Sequence, residues 1–452
     1  MIEQTLRQTF GYDSLRPGQE QAIRAVVAGR SAAAIFPTGS GKSLCYQLPA
    51  TVTQGRTDGL TVVVSPLIAL IHNQVKNLLR LEIPTLAITG DMSDEDRRFA
   101  SAELYKRDLH VRLLYVTPEF VCNSRLAANL LAHLYAHGRL ARFVIDEAHC
   151  VDQWGHDFRP DYRRIRDLIG LLPAEGPRAV PVLATTATAN ARVVADVVEQ
   201  LGVASEQDVF VLRGPLARAS LRLGVLRLPS PAARLAWLLD HLGDLPGSGI
   251  VYALTVSAAE DTARALREAG HEVVAYTGRT DPERRAEIEE DLKANRVKAV
   301  VATSALGMGF DKPDLTFVVH FGAPGSPVAY YQQVGRAGRG TDHADVLLLP
   351  GPEDRRIWEY FATASMPDEE QARAVLGALA DHGGALSVAA LEPAVRIKRT
   401  SLELLLKVLA VDGAVERVGG GWRATGREWT YDAERYARVA EARRAEERLM
   451  LD

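Results

Sequence analysis

The chain has 452 residues, of which 47% are hydrophobic and 24% are charged. This length exceeds that of one ordinary domain and predicts two to four domains, while the composition is typical of a soluble globular protein. The formal net charge of −4 excludes a chain that binds nucleic acid through bulk positive charge, so a nucleic-acid partner would require a local positive groove.

Short, continuously apolar segments alternate with helical patterns in two successive stretches of the chain. In residues 30–205 these segments lie at 32–36, 60–65, 85–89, 111–117, 142–146 and 180–185. In residues 208–350 they lie at 249–252, 272–276, 298–303, 315–321 and 345–349. Such segments are typical of parallel strands buried on both faces. The sequence therefore predicts two tandem α/β domains, at residues 1–206 and 207–351.

Helix boundaries are also readable in the second of these domains. Ser257 and Glu260 have the spacing of a capping box, and Gly270 has the position of a C-terminal cap. Asp281 followed by Pro282 predicts the start of the next helix, because Pro favours the first helical position.

A different pattern follows the second domain. Residues 352–366 predict a linking helix, and residues 367–426 contain helical segments at 369–382, 387–393 and 398–411 followed by a glycine-tipped hairpin. This order predicts a winged helix-turn-helix, which in proteins either binds DNA or serves as a packing module. Both roles stay open, because the third helix is mostly apolar. The candidates for duplex-phosphate contacts are Lys398, Arg399, Arg417, Trp422 and Arg423.

The last segment, residues 427–452, predicts a C-terminal helix rich in Ala, Glu and Arg. It stops without a capping signal. We therefore expect the chain to be truncated at this point.

A phosphate-binding loop is predicted between the first strand and the helix after it. Its residues are Pro37, Thr38, Gly39, Ser40, Gly41, Lys42 and Ser43. The glycines let backbone N–H groups face phosphates, and the start of the helix adds a favourable dipole. Lys42 is the candidate for neutralising the β- and γ-phosphates, and Ser43 for ligating Mg²⁺. The general pattern has Gly where this chain has Phe36, and a purely structural turn is the alternative interpretation.

Two acidic residues follow the apolar segment that ends at Ile145. Asp146 is placed to hold Mg²⁺ through water, and Glu147 is the candidate base for an attacking water. Solvated loop acids are the alternative interpretation. The preceding buried strand and the phosphate loop favour the catalytic one.

Two arginines in the second domain stand three residues apart, in the segment Gln332-Gln333-Val334-Gly335-Arg336-Ala337-Gly338-Arg339. If the segment is helical, Arg336 and Arg339 share one face. The planar, permanently charged guanidinium suits a γ-phosphate, so both are candidates for arginine fingers across a domain cleft.

An aromatic and basic segment follows the acidic pair. Trp154 and Phe158 have the i, i+4 spacing of helix core, but Gly155 and Pro160 would break a helix. This favours an exposed loop in which the aromatic rings stack on bases. The basic candidates in the same loop are His156 and Arg159.

These motifs together resemble those of superfamily-two helicases. The phosphate loop, Asp146-Glu147-Ala148-His149, Thr185-Thr186-Ala187-Thr188-Ala189 and Gly335-Arg336-Ala337-Gly338-Arg339 carry this resemblance. Four further segments resemble the RecQ DNA helicases in particular: Phe10-Gly11 with Arg16-Pro17-Gly18-Gln19, residues 64–70, residues 153–160 and residues 307–313. The resemblance covers residues 5 to 350.

The resemblance implies two RecA-like motor domains that use ATP and Mg²⁺ to translocate 3′ to 5′ on single-stranded DNA and to unwind duplexes in DNA repair or recombination. Arg16 and Gln19 would contact the adenine side of ATP, and Gly309 and Asp311 would line the cleft. His149 and Gln153 would relay the nucleotide state to the aromatic loop, whose Trp154, Phe158 and Arg159 would sense DNA. The DNA backbone would be touched by Ser65, Pro66, Thr117, Pro118, Thr303 and Ser304.

One departure from that family concerns cysteine. Many RecQ proteins carry a four-cysteine zinc module after the motor, but the three cysteines here are Cys45, Cys122 and Cys150. Because His149, Cys150 and His156 offer three ligands at unsuitable spacing, we expect no zinc site in these residues. Either the chain is a divergent member of the family, or the zinc module lies beyond Asp452; both alternatives stay open. The scattered cysteines and the lack of a signal core predict a cytoplasmic protein, expected to be a monomer without membrane contact. An RNA helicase and an ATP-gated DNA-binding regulator are the alternative functions.

Overall fold

The computed structural model describes residues 2–37, 39–52, 59–123, 125–148, 180–187, 209–214, 219–307, 310–364, 368–418 and 420–451. The chain divides into two compact units, of which the first contains two parallel sheets and the second is formed chiefly by residues from 352 onward. Within the described ranges, no helix is both long enough and apolar enough to cross a membrane.

The first sheet has seven parallel strands among the described residues, in the order β3-β4-β2-β5-β6-β1-β7. Its strands are β1 (Ala32–Ile35), β2 (Leu60–Val64), β3 (Thr85–Ile88), β4 (Leu113–Val116), β5 (Leu140–Ile145), β6 (Val182–Thr186) and β7 (Phe210–Arg213). Each predicted segment of this domain overlaps one of β1 to β6, whereas β7 was not predicted. Because β7 pairs with β1, the first domain extends past residue 206, and that predicted boundary is too early.

Apolar clusters cover both faces of the first sheet. Consecutive residues of β5 enter different clusters, Phe143 on one face and Val144 on the other. This confirms strands buried on both sides, as their continuous apolar character predicts. The accompanying helices are α1 (Ile2–Phe10), α2 (Gln19–Val27), α3 (Leu44–Thr51), α4 (Ile68–Arg80), α5 (Asp94–Tyr105), α6 (Pro118–Asn123) and α7 (Arg125–Ala136).

The second sheet is also parallel, in the order β10-β11-β9-β12-β13-β8. Its strands are β8 (Leu221–Val225), β9 (Gly249–Ala253), β10 (Val273–Tyr276), β11 (Ala299–Ala302), β12 (Phe317–Phe321) and β13 (Ala344–Leu349). Its helices are α8 (Pro231–His241), α9 (Val256–Glu268), α10 (Pro282–Lys293) and α11 (Pro327–Val334). The five predicted segments correspond to β9 to β13, and β8 at the edge was not predicted.

Helix caps in this domain confirm two predictions and correct a third. Asp281 caps α10 by accepting a 2.9 Å hydrogen bond from the backbone N–H of Arg284, as predicted. The capping box at Ser257 is wrong, because α9 begins earlier and is capped by Thr255, whose hydroxyl accepts from the N–H of Ala258. Gly270 follows the end of α9 with a φ of +90°, in agreement with its predicted role.

The second compact unit contains four helices among its described residues before a hairpin, and one after it. They are α12 (Asp354–Ala364), α13 (Glu369–His382), α14 (Val388–Val395), α15 (Arg399–Val411), β14 (Val415–Val418), β15 (Gly421–Ala424) and α16 (Ala433–Leu451). An antiparallel bridge joins Leu386 to Trp422 of the hairpin, and α13, α14 and α15 share one apolar cluster with it. The order of elements is the predicted one, and the identification as a winged helix stays a prediction.

Candidate active site

The loop between β1 and α3 has the geometry of an anion cradle. Gly39 and Gly41 adopt φ values of +77° and +80°, which side-chain-bearing residues rarely adopt, and the two residues turn the backbone toward α3. Lys42 is buried, with Nζ 3.4 Å from the carbonyl oxygen of Phe36. Ser43 stands directly before α3 and makes no side-chain capping bond with it.

Phe36 is the departure from the general phosphate-loop pattern, and its position shows why the loop tolerates it. Its side chain is buried in the apolar cluster beneath the loop. The ring packs so closely against Gly18 and Gly214 that a Cβ at either glycine would lie 2.7 Å from it. Phe36 therefore occupies the core and leaves the phosphate-facing side of the loop open.

Arg16, just before α2, and Gln19, the first residue of α2, both hydrogen-bond to the loop. Arg16 Nη1 donates to the carbonyl oxygen of Gly39 at 2.6 Å. Gln19 Nε2 donates to the carbonyl oxygens of Ser40 and Gly41, each at 3.0 Å, while its Oε1 accepts from the N–H of Arg16. The two residues thus fix the loop backbone and also line the cavity beside it.

Asp146 lies at the end of β5, inside a buried hydrogen-bond network. Its Oδ1 accepts from the hydroxyl of Thr185 at 2.6 Å and from the N–H of Glu147 at 3.1 Å, and its Oδ2 lies 3.5 Å from the hydroxyl of Tyr46. Burial of the carboxyl, reinforced by the charge of Glu147, raises the pKa of Asp146, while the Thr185 hydrogen bond and Lys42 oppose this rise. A nearby cation would therefore stabilise the ionised form.

Glu147 has an unusual backbone conformation for its type, with a φ of +51°. Such a left-handed conformation costs free energy in a non-glycine residue and is frequent at active sites. Both Asp146 and Glu147 line the same cavity as Lys42.

The second domain contributes two arginines and one carboxylate to this cavity. Arg339 and Asp311 form an ion pair at 2.5 Å, and Arg336 Nη1 donates to the carbonyl oxygen of Phe310 at 3.1 Å. Both arginines lie in the turns after α11 ends at Val334, so they do not share a helix face. They are brought together by this turn.

A cavity of about 550 Å³ joins the two halves of the site. Its lining includes Lys42, Ser43, Asp146 and Glu147 from the first domain and Phe310, Asp311, Gln332, Arg336 and Arg339 from the second. Phosphate-facing, acidic and guanidinium groups, widely separated in sequence, thus face one space. This arrangement can bind a polyphosphate with its charge neutralised from both sides.

The predicted DNA-backbone contacts follow strand ends in both domains. Ser65 and Pro66 follow β2, Thr117 follows β4 and Thr303 follows β11. The side chains of Ser65, Thr117 and Thr303 are buried, and Pro66 is half-buried. In this conformation a DNA strand would therefore meet the backbone of these loops before it met their hydroxyl groups.

The predicted basic residues of the second unit are exposed, and two of the four form ion pairs. Arg399 forms an ion pair with Glu403 at 3.1 Å, and Arg423 pairs with Glu416 across the hairpin. Lys398 is exposed at the start of α15. Exposed pairs of this kind contribute little stability, so phosphates could displace the acidic partners at small cost.

Several predicted residues lie outside the described ranges. They are Thr38, His149, Gln153, Trp154, His156, Phe158, Arg159 and Gly309. Their roles stay predictions.

Two neighbours of Asp146 were not among the predicted site residues. Thr185 belongs to the Thr185-Thr186-Ala187 segment, so a motif signal for it was present. Tyr46 is fully buried in the first turn of α3, and an apolar-looking helix gave no signal for a contact 100 positions away.

Comparison with known proteins agrees with this geometry. Residues 16–197 match the DEAD/DEAH box helicase family and residues 233–341 match the helicase conserved C-terminal domain. The chain is 40% identical over 346 residues to the RecQ-like DNA helicase BLM of Xenopus laevis, which covers 75% of this chain and 24% of that protein. It is 35% identical over 353 residues to the ATP-dependent DNA helicase Q1 of Rattus norvegicus, covering 77% of this chain and 55% of that protein.

Solved structures share the fold at lower sequence identity. The DUF1998 helicase MrfA bound to DNA and AMPPNP superposes with a TM-score of 0.65 at 22% identity, covering 95% of this chain and 62% of that one. Dbp5 of S. cerevisiae bound to RNA and ADP BeF3 superposes with a TM-score of 0.58 at 18% identity, covering 80% and 90%. The chain spans about a quarter of the length of several curated relatives it matches. By its sequence and by its two RecA-like parallel-sheet domains, the chain belongs to the RecQ family of helicases.

Proposed function

We propose that this protein is an ATP-dependent DNA helicase that translocates 3′ to 5′ on single-stranded DNA and separates duplexes. The observation that carries the proposal is the single cavity that Lys42 and Asp146 share with Arg336 of the second domain. A site built from two domains couples hydrolysis to their relative movement, because the bound nucleotide contacts both.

ATP fits the donors that line this cavity. Nε of Arg336 is buried and has no hydrogen-bond partner among the described residues, and the same holds for the hydroxyl of Ser40 in the loop. Buried donors without partners are costly, and phosphate oxygens would satisfy them. Lys42 would neutralise the β- and γ-phosphates, and Arg16 and Gln19, which line the same cavity, would contact the adenine side of ATP.

Mg²⁺ fits the oxygen donors of Ser43 and Asp146. A hydroxyl and a carboxylate are ligands of the type that this ion prefers, together with water and phosphate oxygens. When bound, the ion would neutralise charge that develops on the transferred phosphoryl group. Asp146 is already held in one orientation by Thr185, so it would need little rearrangement to serve.

The reaction we propose is attack of water on the γ-phosphate. Glu147, beside Asp146 in the cavity, orients the water and accepts its proton. Arg336 and Arg339 stabilise the charge of the transition state from the second domain, since a guanidinium can bind two phosphate oxygens at once. Arg339 must exchange its bond to Asp311 for one to phosphate, which links the closed cleft to hydrolysis.

DNA is the proposed polymer, since the relatives at 35–40% identity are named DNA helicases. The strand would cross the loops after β2, β4 and β11, and the aromatic segment around Trp154 would detect it. The use of this activity in DNA repair or recombination, the monomeric state and the cytoplasmic location stay predictions.

Steady-state ATP hydrolysis with and without single-stranded DNA tests this proposal. We expect strong stimulation by DNA, weak stimulation by RNA of matched sequence, and unwinding of duplexes with a 3′ tail but not of those with only a 5′ tail. A protein that binds DNA in an ATP-dependent way without hydrolysis above background would instead be a regulator. Equal unwinding of RNA duplexes would overturn the choice of polymer.

A further inference from the structure

Behind the predicted Mg²⁺ ligands lies a chain of buried polar side chains that the proposed reaction does not use. Tyr46 and Tyr115 are at most 1% exposed, and their ring centroids lie 6.5 Å apart at an interplanar angle of 65°. Buried polar groups need hydrogen-bond partners, so the partners of these two hydroxyl groups indicate their role.

Tyr46 lies next to Asp146, one of the two predicted Mg²⁺ ligands. Its hydroxyl lies 3.5 Å from Oδ2 of Asp146. The hydroxyl is buried and can donate a hydrogen bond to this carboxylate.

At its other end, this network of side chains reaches the elements next to two loops that are predicted to contact DNA. Gln47 Nε2 donates to the hydroxyl of Tyr115 at 3.2 Å and to Oε1 of Gln74 at 2.7 Å. Tyr115 stands in β4, two residues before Thr117, and Gln74 stands in α4, which begins at Ile68 just after Ser65 and Pro66. The same contacts thus touch the elements behind both loops and the carboxylate of Asp146.

We propose that Tyr46 is a positioning residue that holds Asp146 for Mg²⁺, and that Tyr115, Gln47 and Gln74 transmit DNA binding to it. This inference rests on the proposed function and adds a route for its regulation. When a DNA strand displaces the loops after β2 and β4, the displacement reaches Asp146 through the hydrogen bonds of Gln47, the ring contact of Tyr115 with Tyr46 and the contact of the Tyr46 hydroxyl with the carboxylate. A connected network of this kind can change coupling between two sites without touching either ligand.

The test uses two substitutions that remove a hydroxyl and keep the ring. For Tyr46→Phe, we expect the ratio of affinities for a fluorescent ATP analogue with and without Mg²⁺ to fall about tenfold or more, as for other groups that orient metal ligands. For Tyr115→Phe, we expect the stimulation of hydrolysis by single-stranded DNA to fall about 2- to 30-fold. If DNA stimulation is measured in both single variants and in the double variant, the loss in the double variant should be smaller than the product of the two single losses. The reason is that both side chains act in the same network.

The matched control is Tyr135→Phe, a buried tyrosine in the apolar cluster on the opposite face of the same sheet. It should keep wild-type values in both measurements. Gln74→Leu removes the hydrogen bond between Gln47 and Gln74 at the half-buried end of the network. This variant should lower DNA stimulation, and it tests the proposal even if one tyrosine variant does not fold. Thermal unfolding identifies the folded variants.

A wild-type affinity ratio in folded Tyr46→Phe would overturn the positioning role, and wild-type stimulation in both Tyr115→Phe and Gln74→Leu would overturn the transmission. Absence of hydrolysis in the unmodified protein would contradict the proposed function instead. In that case the Mg²⁺-dependent affinity ratio still tests Tyr46, so the two failures are distinguishable.

Discussion

The hydroxyl group of Thr185 donates a 2.6 Å hydrogen bond to Oδ1 of Asp146, although 39 positions separate them in the sequence. The pairing of β5 with β6 brings Ile145 beside Ala184, so the two residues that follow meet at the same sheet edge. Both side chains are buried. The bond therefore fixes the carboxylate where the parallel strands end, which is where open α/β sheets bind their ligands.

Replacing Thr185 with Val should impair catalysis without unfolding the protein. Thr185→Val keeps the shape of the side chain but removes the donor, so the ionised form of Asp146 loses stabilisation and its pKa rises further. We expect ATP hydrolysis to fall about 10- to 100-fold, with part of the loss recovered at high Mg²⁺.

Thr61→Val is the control for this experiment. Thr61 is also a buried strand threonine of the first sheet, but its hydroxyl has no hydrogen-bond partner among the described residues. Its removal should leave hydrolysis unchanged and should not lower stability. Equal losses in the two variants would mean that Thr185 matters only for packing.

Restoring the general phosphate-loop pattern at position 36 should harm this chain. In Phe36→Gly the apolar cluster between Gly18 and Gly214 loses a buried ring, and the free energy of unfolding should fall by about 3 to 5 kcal/mol. Urea unfolding measures this change. Phe99→Ala, which removes a ring that is 64% exposed, should change stability little. A Phe36→Gly protein as stable as the original would contradict the core role of the ring.

The central strands of both sheets were predictable because burial on both faces imposes a local rule. A run such as Leu60–Val64, with all five residues buried, cannot be a half-exposed strand. The helix Glu369–His382 was predictable from another local signal, its caps. Asp368 is its N-terminal cap, and Gly383 ends it in the left-handed conformation.

The edge strands followed no such rule. Val209 to Leu212 are all apolar, but in the strand Phe210–Arg213 half-buried and exposed residues alternate, so its burial does not follow from its composition. In Leu221–Val225 an arginine and a glycine interrupt the apolar residues. Thr255 and Ser257 could both cap α9, and the helix begins at Val256 with Thr255 as its cap. The motifs predicted which carboxylate and which lysine meet, but the contact of Tyr46 with Asp146 depends on packing between α3 and β5.

Lys42→Ala should abolish ATP hydrolysis. The ammonium group is buried in the cavity, and no other lysine lines it among the described residues. Without it the β- and γ-phosphates lose their main neutralising charge from the first domain. Turnover should fall to background in the presence of saturating single-stranded DNA, while Lys76→Ala, on the exposed side of α4, should keep it. Unchanged turnover in Lys42→Ala would contradict the motor assignment.

Trp154→Ala should separate nucleotide binding from DNA sensing. The aromatic segment is predicted to stack on bases, so the variant should bind Mg²⁺ and ATP normally but lose most of the stimulation of hydrolysis by DNA. Trp154→Phe keeps a ring for stacking and should restore part of it. Titration with single-stranded DNA at fixed ATP measures both, and an intact DNA response in Trp154→Ala would refute the coupling role.

The second domain should lose stability in mild acid because of His320. This residue of β12 is buried between Tyr252 and Tyr330, at ring distances of 5.6 and 5.0 Å, with Nε2 2.9 Å from Oε1 of Gln333. Burial lowers the pKa of His320 to about 4, against a smaller opposing effect of the Gln333 hydrogen bond. The folded protein therefore keeps the ring neutral, whereas the unfolded chain binds a proton below about pH 6.5.

It follows that the stabilising contribution is complete above about pH 6.5 and is lost as the pH falls toward 4, because protons then favour the unfolded chain. Between about pH 7.5 and about pH 5 this single group should lower the free energy of unfolding by about 2 kcal/mol. His320→Gln keeps a donor for Gln333 but cannot titrate. Urea unfolding at the two pH values should therefore show a smaller acid-induced loss in His320→Gln than in the unmodified protein, although the variant starts from a lower stability. All other histidines are common to both proteins. Equal losses would therefore mean that folding does not lower the pKa of His320.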